Sequence, residues 1–154
     1  MTMIRFKKLS ADAITPTKGS KEAAGYDLYA NNYDFANDLK DWTLMILPGE
    51  TVKVYTDIAI ELPEGYFGGI YARSGLACKS GLAPANKVGI IDSDYRGPII
   101  VCLYNHSSMP QLIHKGDRIA QLIVQPYLEF EWEEVKELDE TRRGANGFGS
   151  TGTN

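Results

Sequence analysis

The chain of 154 residues is poor in cysteine: Cys78 and Cys102 are its only two, with no Cys-x-x-Cys pair, which excludes a disulfide framework and a four-thiolate zinc site. That composition fits a reducing, intracellular setting, whether cytoplasm, nucleus or an organelle. Long apolar runs are missing too. The longest, Pro98 to Tyr104, is far below the roughly 18 residues that a membrane span requires, and the opening MTMIRFKKLS has charge but no following apolar stretch. Neither membrane insertion nor secretion is expected. There is no basic excess: 16 Lys plus Arg face 20 Asp plus Glu. Seven acids and one base between residues 129 and 140 carry the negative balance, while Arg142 and Arg143 make the end of the chain basic. Without a long basic stripe, general attraction to a nucleic-acid backbone is not indicated; the short basic end suits a small anion.

What the chain does have is punctuation. Seven prolines and 15 glycines are spread along it, so hardly any window can run as a long helix. Short strands fit that spacing. Val52, Val54, Ile58 and Ile60 recur at period two and predict one half-buried strand from Val52 to Ile60, closed by the turn residues Pro63-Glu64-Gly65. Ile99 to Leu103 is continuously apolar and predicts a strand covered on both faces; Ile119 to Gln125 reads similarly, with Pro126 closing it. In the acidic segment, Leu128, Phe130 and Trp132 alternate with glutamates, which predicts a strand as far as Glu133 despite the helix propensity of Glu. Asn31 to Leu47 lacks periodicity and reads as a loop excursion, and one short helical turn is expected near Ser74 to Lys79. The sum is a single all-β domain over residues 1–141, a sandwich, jelly roll or barrel of short strands, followed by a flexible Gly-rich arm over 142–154.

Three segments carry residues suited to chemistry. In the closing TRRGANGFGSTGTN, glycines let successive N–H groups turn toward an anion, Arg142, Arg143, Ser150 and Thr151 add donors, and Phe148 offers a face on which a nucleobase stacks. The Gly-Lys-Ser/Thr ending of a P-loop is absent, and a solvated Gly-rich terminus is the competing reading. In GIIDSDYRGP, Asp92 directly follows Ile90 and Ile91, at the rim of a core, where it is placed to take a proton from an attacking water; Tyr95 would wall a sugar or base. An ordinary hairpin turn would also use these residues. Arg73-Ser74-Gly75 brings a cation, a hydroxyl and a pliable backbone to a strand end, a set that holds phosphate but also occurs in plain turns. Asp27 is a weaker candidate for metal binding. Arg118 opens the strand that carries Gln121, whose orientation period two leaves open. His106 and His114 stand alone and read as surface histidines.

Five stretches in order, AGYDLYA (24–30), ARSGLA (72–77), VGIIDSDYRG (88–97), GDRIAQLIV (116–124) and RGANGFGSTG (143–152), resemble the five motifs of the trimeric dUTP pyrophosphatases, and the framework between them is similar as well, from about residue 23 to 152. The excursion at 31–47 is longer than the family usually has. The resemblance implies a jelly-roll-like β-barrel, a homotrimer with active sites shared between subunits, and Mg²⁺-dependent hydrolysis of dUTP to dUMP and pyrophosphate. On the matching positions it implies Asp92 as the base that activates water for attack on the α-phosphorus, and Tyr95 as the ring under the deoxyribose. Asn86 and the backbone around Gly89 and Ile90 would read uracil. Arg73, Ser74, Gly75 and Gln121 would contact phosphate, and Asp27 would hold Mg²⁺ through a water. Arg143, Phe148, Gly149, Ser150 and Thr151 would close over the γ-phosphate and the base.

Two rivals share the fold. A dCTP deaminase would use a glutamate where this chain has Asp92 within IDSDYRG, and a catalytically silent regulatory relative would not need all five motifs filled. Ammonia release from dCTP identifies the first, and pyrophosphate release from dUTP excludes the second.

Overall fold

The computed structural model describes residues 3–33 and 41–147. In chain order the strands begin with β1 (Arg5–Lys8), β2 (Thr17–Lys18), β3 (Tyr26–Tyr29), β4 (Asn32–Tyr33), β5 (Thr43–Ile46), β6 (Thr51–Tyr55), β7 (Ile58–Glu61) and β8 (Tyr66–Tyr71). Helix α1 (Ser74–Ser80) precedes β9 (Leu82–Pro84), β10 (Gly89–Ile91), β11 (Ile100–Asn105), β12 (Gln111–His114) and β13 (Arg118–Pro126). One sheet has the order β10-β8-β13-β3-β2 and another β4-β6-β11-β9, with β1-β7 and β12-β5 as two-stranded ribbons. The fold is all-β and jelly-roll-like, and its sheets do not close into one continuous barrel. Leu28, Ile70, Ile119 and Leu122 from the first sheet join Val54, Leu82, Val101 and Leu103 from the second in one buried cluster. Each such side chain contributes about 1.5–3 kcal/mol by leaving water.

The expected strand from Val52 to Ile60 is two strands in different sheets. The chain breaks at Thr56 and Asp57: Asp57 takes a left-handed φ of 53°, and the buried Thr56 hydroxyl donates to the Ile99 carbonyl at 2.9 Å. Val54, Ile58 and Ile60 are all buried, as the period predicts, but Ala59 between the last two is buried as well. In β11, Val101, Leu103 and Asn105 are buried, whereas Ile100, Cys102 and Tyr104 are partly exposed; one face is covered, not two. The excursion carries β4 and β5 at its ends, held by the Trp42 indole donating to the Asn31 carbonyl at 3.1 Å, and its middle lies outside the described residues. The helical turn is present as α1, stopped by Gly81 at φ 67°, where its N–H donates to the Ala77 carbonyl.

The largest departure is the acidic segment. Among the described residues no strand follows Pro126, and Leu128, Phe130 and Trp132 are 78%, 76% and 98% exposed. The alternation is real, but among the described residues nothing pairs with it.

Candidate active site

The sheet β10-β8-β13-β3-β2 positions nearly every predicted site residue in the described part of the chain. In it Asp27 on β3 lies opposite Gln121 on β13, which lies opposite Tyr71 on β8. Arg73 follows β8 by two residues and folds back, so that its Nε donates to Asp27 Oδ1 at 2.8 Å and its Nη1 to the Arg118 carbonyl at 3.2 Å. The other Asp27 oxygen, Oδ2, accepts from Arg118 Nη1 at 3.1 Å. Gln121 braces the same corner: its Nε2 donates to the Ala72 carbonyl at 2.9 Å, and Gly25 is needed beside it because a Cβ there would come within 2.7 Å of Gln121 Oε1. Ser74 and Gly75 are exposed at the start of α1, beside Arg73. Asp27, Arg73 and Arg118 thus form one ion-paired corner, with Gln121 bonded to Ala72 beside it.

A second cluster surrounds β10. The link from β9 to β10 crosses between the two main sheets and turns with Lys87 at φ 65°, leaving Asn86 exposed. Asn86 is close to Gly89, where a Cβ would meet Asn86 Nδ2 at 3.3 Å and Ile70 Cβ at 3.2 Å. Because β10 is the edge of its sheet, the outward backbone groups around Gly89 and Ile90 have no strand partner and can read the polar edge of a base. Asp92 comes next, exposed in a cleft of about 890 Å³ with Phe67, Ile90, Ser93 and Arg96 on its walls. Its carboxylate has no hydrogen-bond or ion-pair partner among the described residues. The turn that presents it closes through the Tyr95 N–H on the Asp92 carbonyl at 3.2 Å, and Arg96 Nη1 donates to the Ser93 carbonyl at 2.6 Å. The Tyr95 hydroxyl donates to the Pro98 carbonyl at 3.1 Å, laying the ring over Gly97, where a Cβ would fall 2.3 Å from the hydroxyl oxygen.

Ile91 pairs with Gly68, so Asp92 is level with Phe67 near the start of β8, whereas Arg73 follows the end of that strand, six positions further along, a backbone spacing of at most roughly 20 Å at about 3.3 Å per residue. Arg143 is exposed and its Nε donates to the nearby Asn146 carbonyl at 2.9 Å. Phe148, Gly149, Ser150 and Thr151 lie outside the described residues. Arg118 is at this corner against the expectation of strict alternation, because it is three positions from Gln121 and alternation would put the two on opposite faces.

The family model for dUTPase matches residues 11–152. Over 149 residues the chain is 45% identical to deoxyuridine 5'-triphosphate nucleotidohydrolase of Nautilia profundicola, covering 97% of this chain and 98% of that protein. The mitochondrial enzyme of that name from Homo sapiens is 47% identical over 151 residues; this chain spans 55% of its length, and 98% of this chain is matched. Among solved structures, a mutant dUTPase of Staphylococcus bacteriophage 80alpha with dUpNHpp superposes with a TM-score of 0.82 at 28% identity, over 99% of this chain and 100% of that one. With two clusters of motif residues placed by one sheet and the match running through nearly the whole chain, this chain belongs to the dUTPase family.

Proposed function

We propose that this chain hydrolyses dUTP to dUMP and pyrophosphate, with Asp92 as the base that takes a proton from the attacking water. The observation that carries this reading is the unpartnered Asp92 carboxylate in an open cleft beside the edge strand β10. A base read by the backbone of Gly89 and Ile90 and by Asn86, with its deoxyribose on the Tyr95 ring, brings the α-phosphorus toward position 92. Arg73, Ser74 and Gln121 take the phosphate oxygens, and the arm over residues 142–154 supplies Arg143, Phe148, Gly149, Ser150 and Thr151 as a closing segment.

Asp92 and Arg73 lie toward opposite ends of β8, with a backbone spacing of up to roughly 20 Å, which favours sites that combine Asp92 of one subunit with Arg73 of another. A homotrimer with shared sites supplies this. The stripe of Leu128, Phe130 and Trp132, bare in one chain, gives a second reason, since apolar residues at strand spacing suit a neighbouring copy.

Among the described residues no group of three His, Cys, Asp or Glu side chains is placed to hold a metal. Both Asp27 oxygens accept from guanidiniums, yet each keeps a further lone pair, which fits a water on Mg²⁺ and not direct ligation. Bound Mg²⁺ would neutralise charge on the phosphate oxygens that supply its remaining ligands. No helix among the described residues is long and apolar enough to cross a membrane, and the free thiols Cys78 and Cys102 suit an intracellular, reducing compartment.

Incubation of the purified chain with each deoxynucleoside triphosphate, with and without Mg²⁺, tests the proposal. Pyrophosphate should appear from dUTP alone and need the metal. Ammonia from dCTP, or no pyrophosphate from any of them, would refute it.

A further inference from the structure

We propose that Arg118 is a positioning residue of the phosphate site, holding the Asp27 carboxylate so that the charge of Arg73 remains available to the β- and γ-phosphates of the substrate. The inference rests on the hydrolytic reading above. Its first support is a break in register. Along most of the β13–β3 pairing the partners follow one regular series, Leu122 with Tyr26, Gln121 with Asp27 and Ala120 with Leu28, but Arg118 pairs with Tyr29, so that Ile119 is an extra residue. This bulge lets Ile119 and Ala120 both turn into the core, where each is fully buried. It also carries Arg118 to the face that holds Asp27 and Gln121. A regular strand would have put Arg118 on the core face with Ala120 and Leu122. Bulges of this kind re-aim side chains beside active sites.

The second support is charge. Asp27 is only 12% exposed, and alone with Arg73 it would form a neutral pair with little net attraction for a polyphosphate. Arg118 Nη1 on the second carboxylate oxygen adds a guanidinium, and two guanidiniums around one carboxylate leave one positive charge at the corner. The third is geometry: the Arg118 carbonyl accepts from Arg73 Nη1, so the same residue fixes the orientation of Arg73 from two sides. With Nε and one Nη1 proton engaged, Nη2 of Arg73 is left to donate outward. The Arg118 side chain is 49% exposed, so changing it leaves the core intact.

R118M and R118K in the full chain decide the matter. Binding of the imido analogue of dUTP should weaken about ten-fold in R118M, whereas dUMP, which lacks the β- and γ-phosphates, should bind within about two-fold of wild type. KM for dUTP should rise with kcat kept within about three-fold, and kcat/KM should fall less steeply with added salt, because one attractive charge has gone. R118K, which keeps the charge, should recover most of the affinity. Wild-type affinity of R118M for the imido analogue would overturn the proposal, as would equal weakening of dUMP and the analogue, or R118K as weak as R118M. Because binding is read without turnover, failure of the wild-type chain to hydrolyse dUTP would count against the hydrolytic reading and leave this comparison to stand or fall separately.

Discussion

Gly97→Ala separates the geometry of the sugar wall from the stability of the fold. Gly97 does not have a positive φ, so alanine meets no left-handed strain there, and a shorter list of unfolded conformations would itself stabilise by about 0.4–1 kcal/mol. The added methyl, however, would lie 2.3 Å from the Tyr95 hydroxyl oxygen, 2.5 Å from Cζ and 3.0 Å from Cε2. The ring must give way. It is the outer end of a half-exposed side chain, so it can swing off by about 1 Å at the cost of its bond to the Pro98 carbonyl, worth about 0.5–1.5 kcal/mol. These two terms nearly cancel in folding. In catalysis they do not, because a reacting group displaced by about 1 Å loses on the order of 100-fold in rate. The expected result is a melting temperature within about 3 °C of wild type together with a fall of about 10- to 100-fold in kcat/KM for dUTP, and a smaller gap between dUTP and UTP. Steady-state kinetics on both nucleotides alongside thermal melting measure this. Unchanged kcat/KM and unchanged exclusion of UTP would refute the role given to Tyr95.

Lys115 donates to the Asp12 carboxylate and, with Ser10, lowers its pKa from 3.8 to about 2. A depressed folded-state value contributes stability above the unfolded pKa and loses it as pH falls, so the difference in urea midpoint between wild type and Asp12→Asn should be constant near neutrality and shrink between about pH 4 and about pH 2. A difference that widens on acidification would contradict the pairing. Truncation before Arg142 should leave the melting temperature within about 2 °C while lowering activity by about 100-fold or more, read by calorimetry and pyrophosphate release; a truncated chain that unfolds readily would make the arm structural. Trp132→Glu, which places a charge in the bare stripe, should shift the sedimentation of the chain toward monomer and reduce activity with it, and an unaltered trimer would remove the stripe from the interface.

How much of this was legible in the sequence depends on whether the deciding interaction was local. Asp92, Tyr95 and the Gly97-Pro98 turn could be read directly, because a carboxylate after two apolar residues and before a glycine turn is a local pattern. The buried periods of Val54, Ile58 and Ile60 were legible for the same reason. The break between β6 and β7 was not, because it turns on Thr56 bonding to Ile99, far away in the chain. Nor was the bulge at Ile119, which is fixed by the packing of β13 against β3 and reverses the face that alternation assigns to Arg118. Leu128, Phe130 and Trp132 mislead in the opposite direction: their alternation predicts a strand, but among the described residues nothing pairs with it. The excursion between Asn31 and Leu47 lacked periodicity because its strands are short, and Trp42 anchors it through its indole on the Asn31 carbonyl, its edge contact with Tyr33 and its own carbonyl, which accepts from Lys115.

The most direct measurement is turnover by Asp92→Asn beside binding of the imido analogue of dUTP. With the base removed and the phosphate contacts proposed for Arg73 and Gln121 untouched, the analogue should bind within about three-fold of wild type while kcat falls by about 100-fold or more. A variant that folds, binds the analogue and keeps a near-normal kcat would contradict the assignment of the attacking water to position 92.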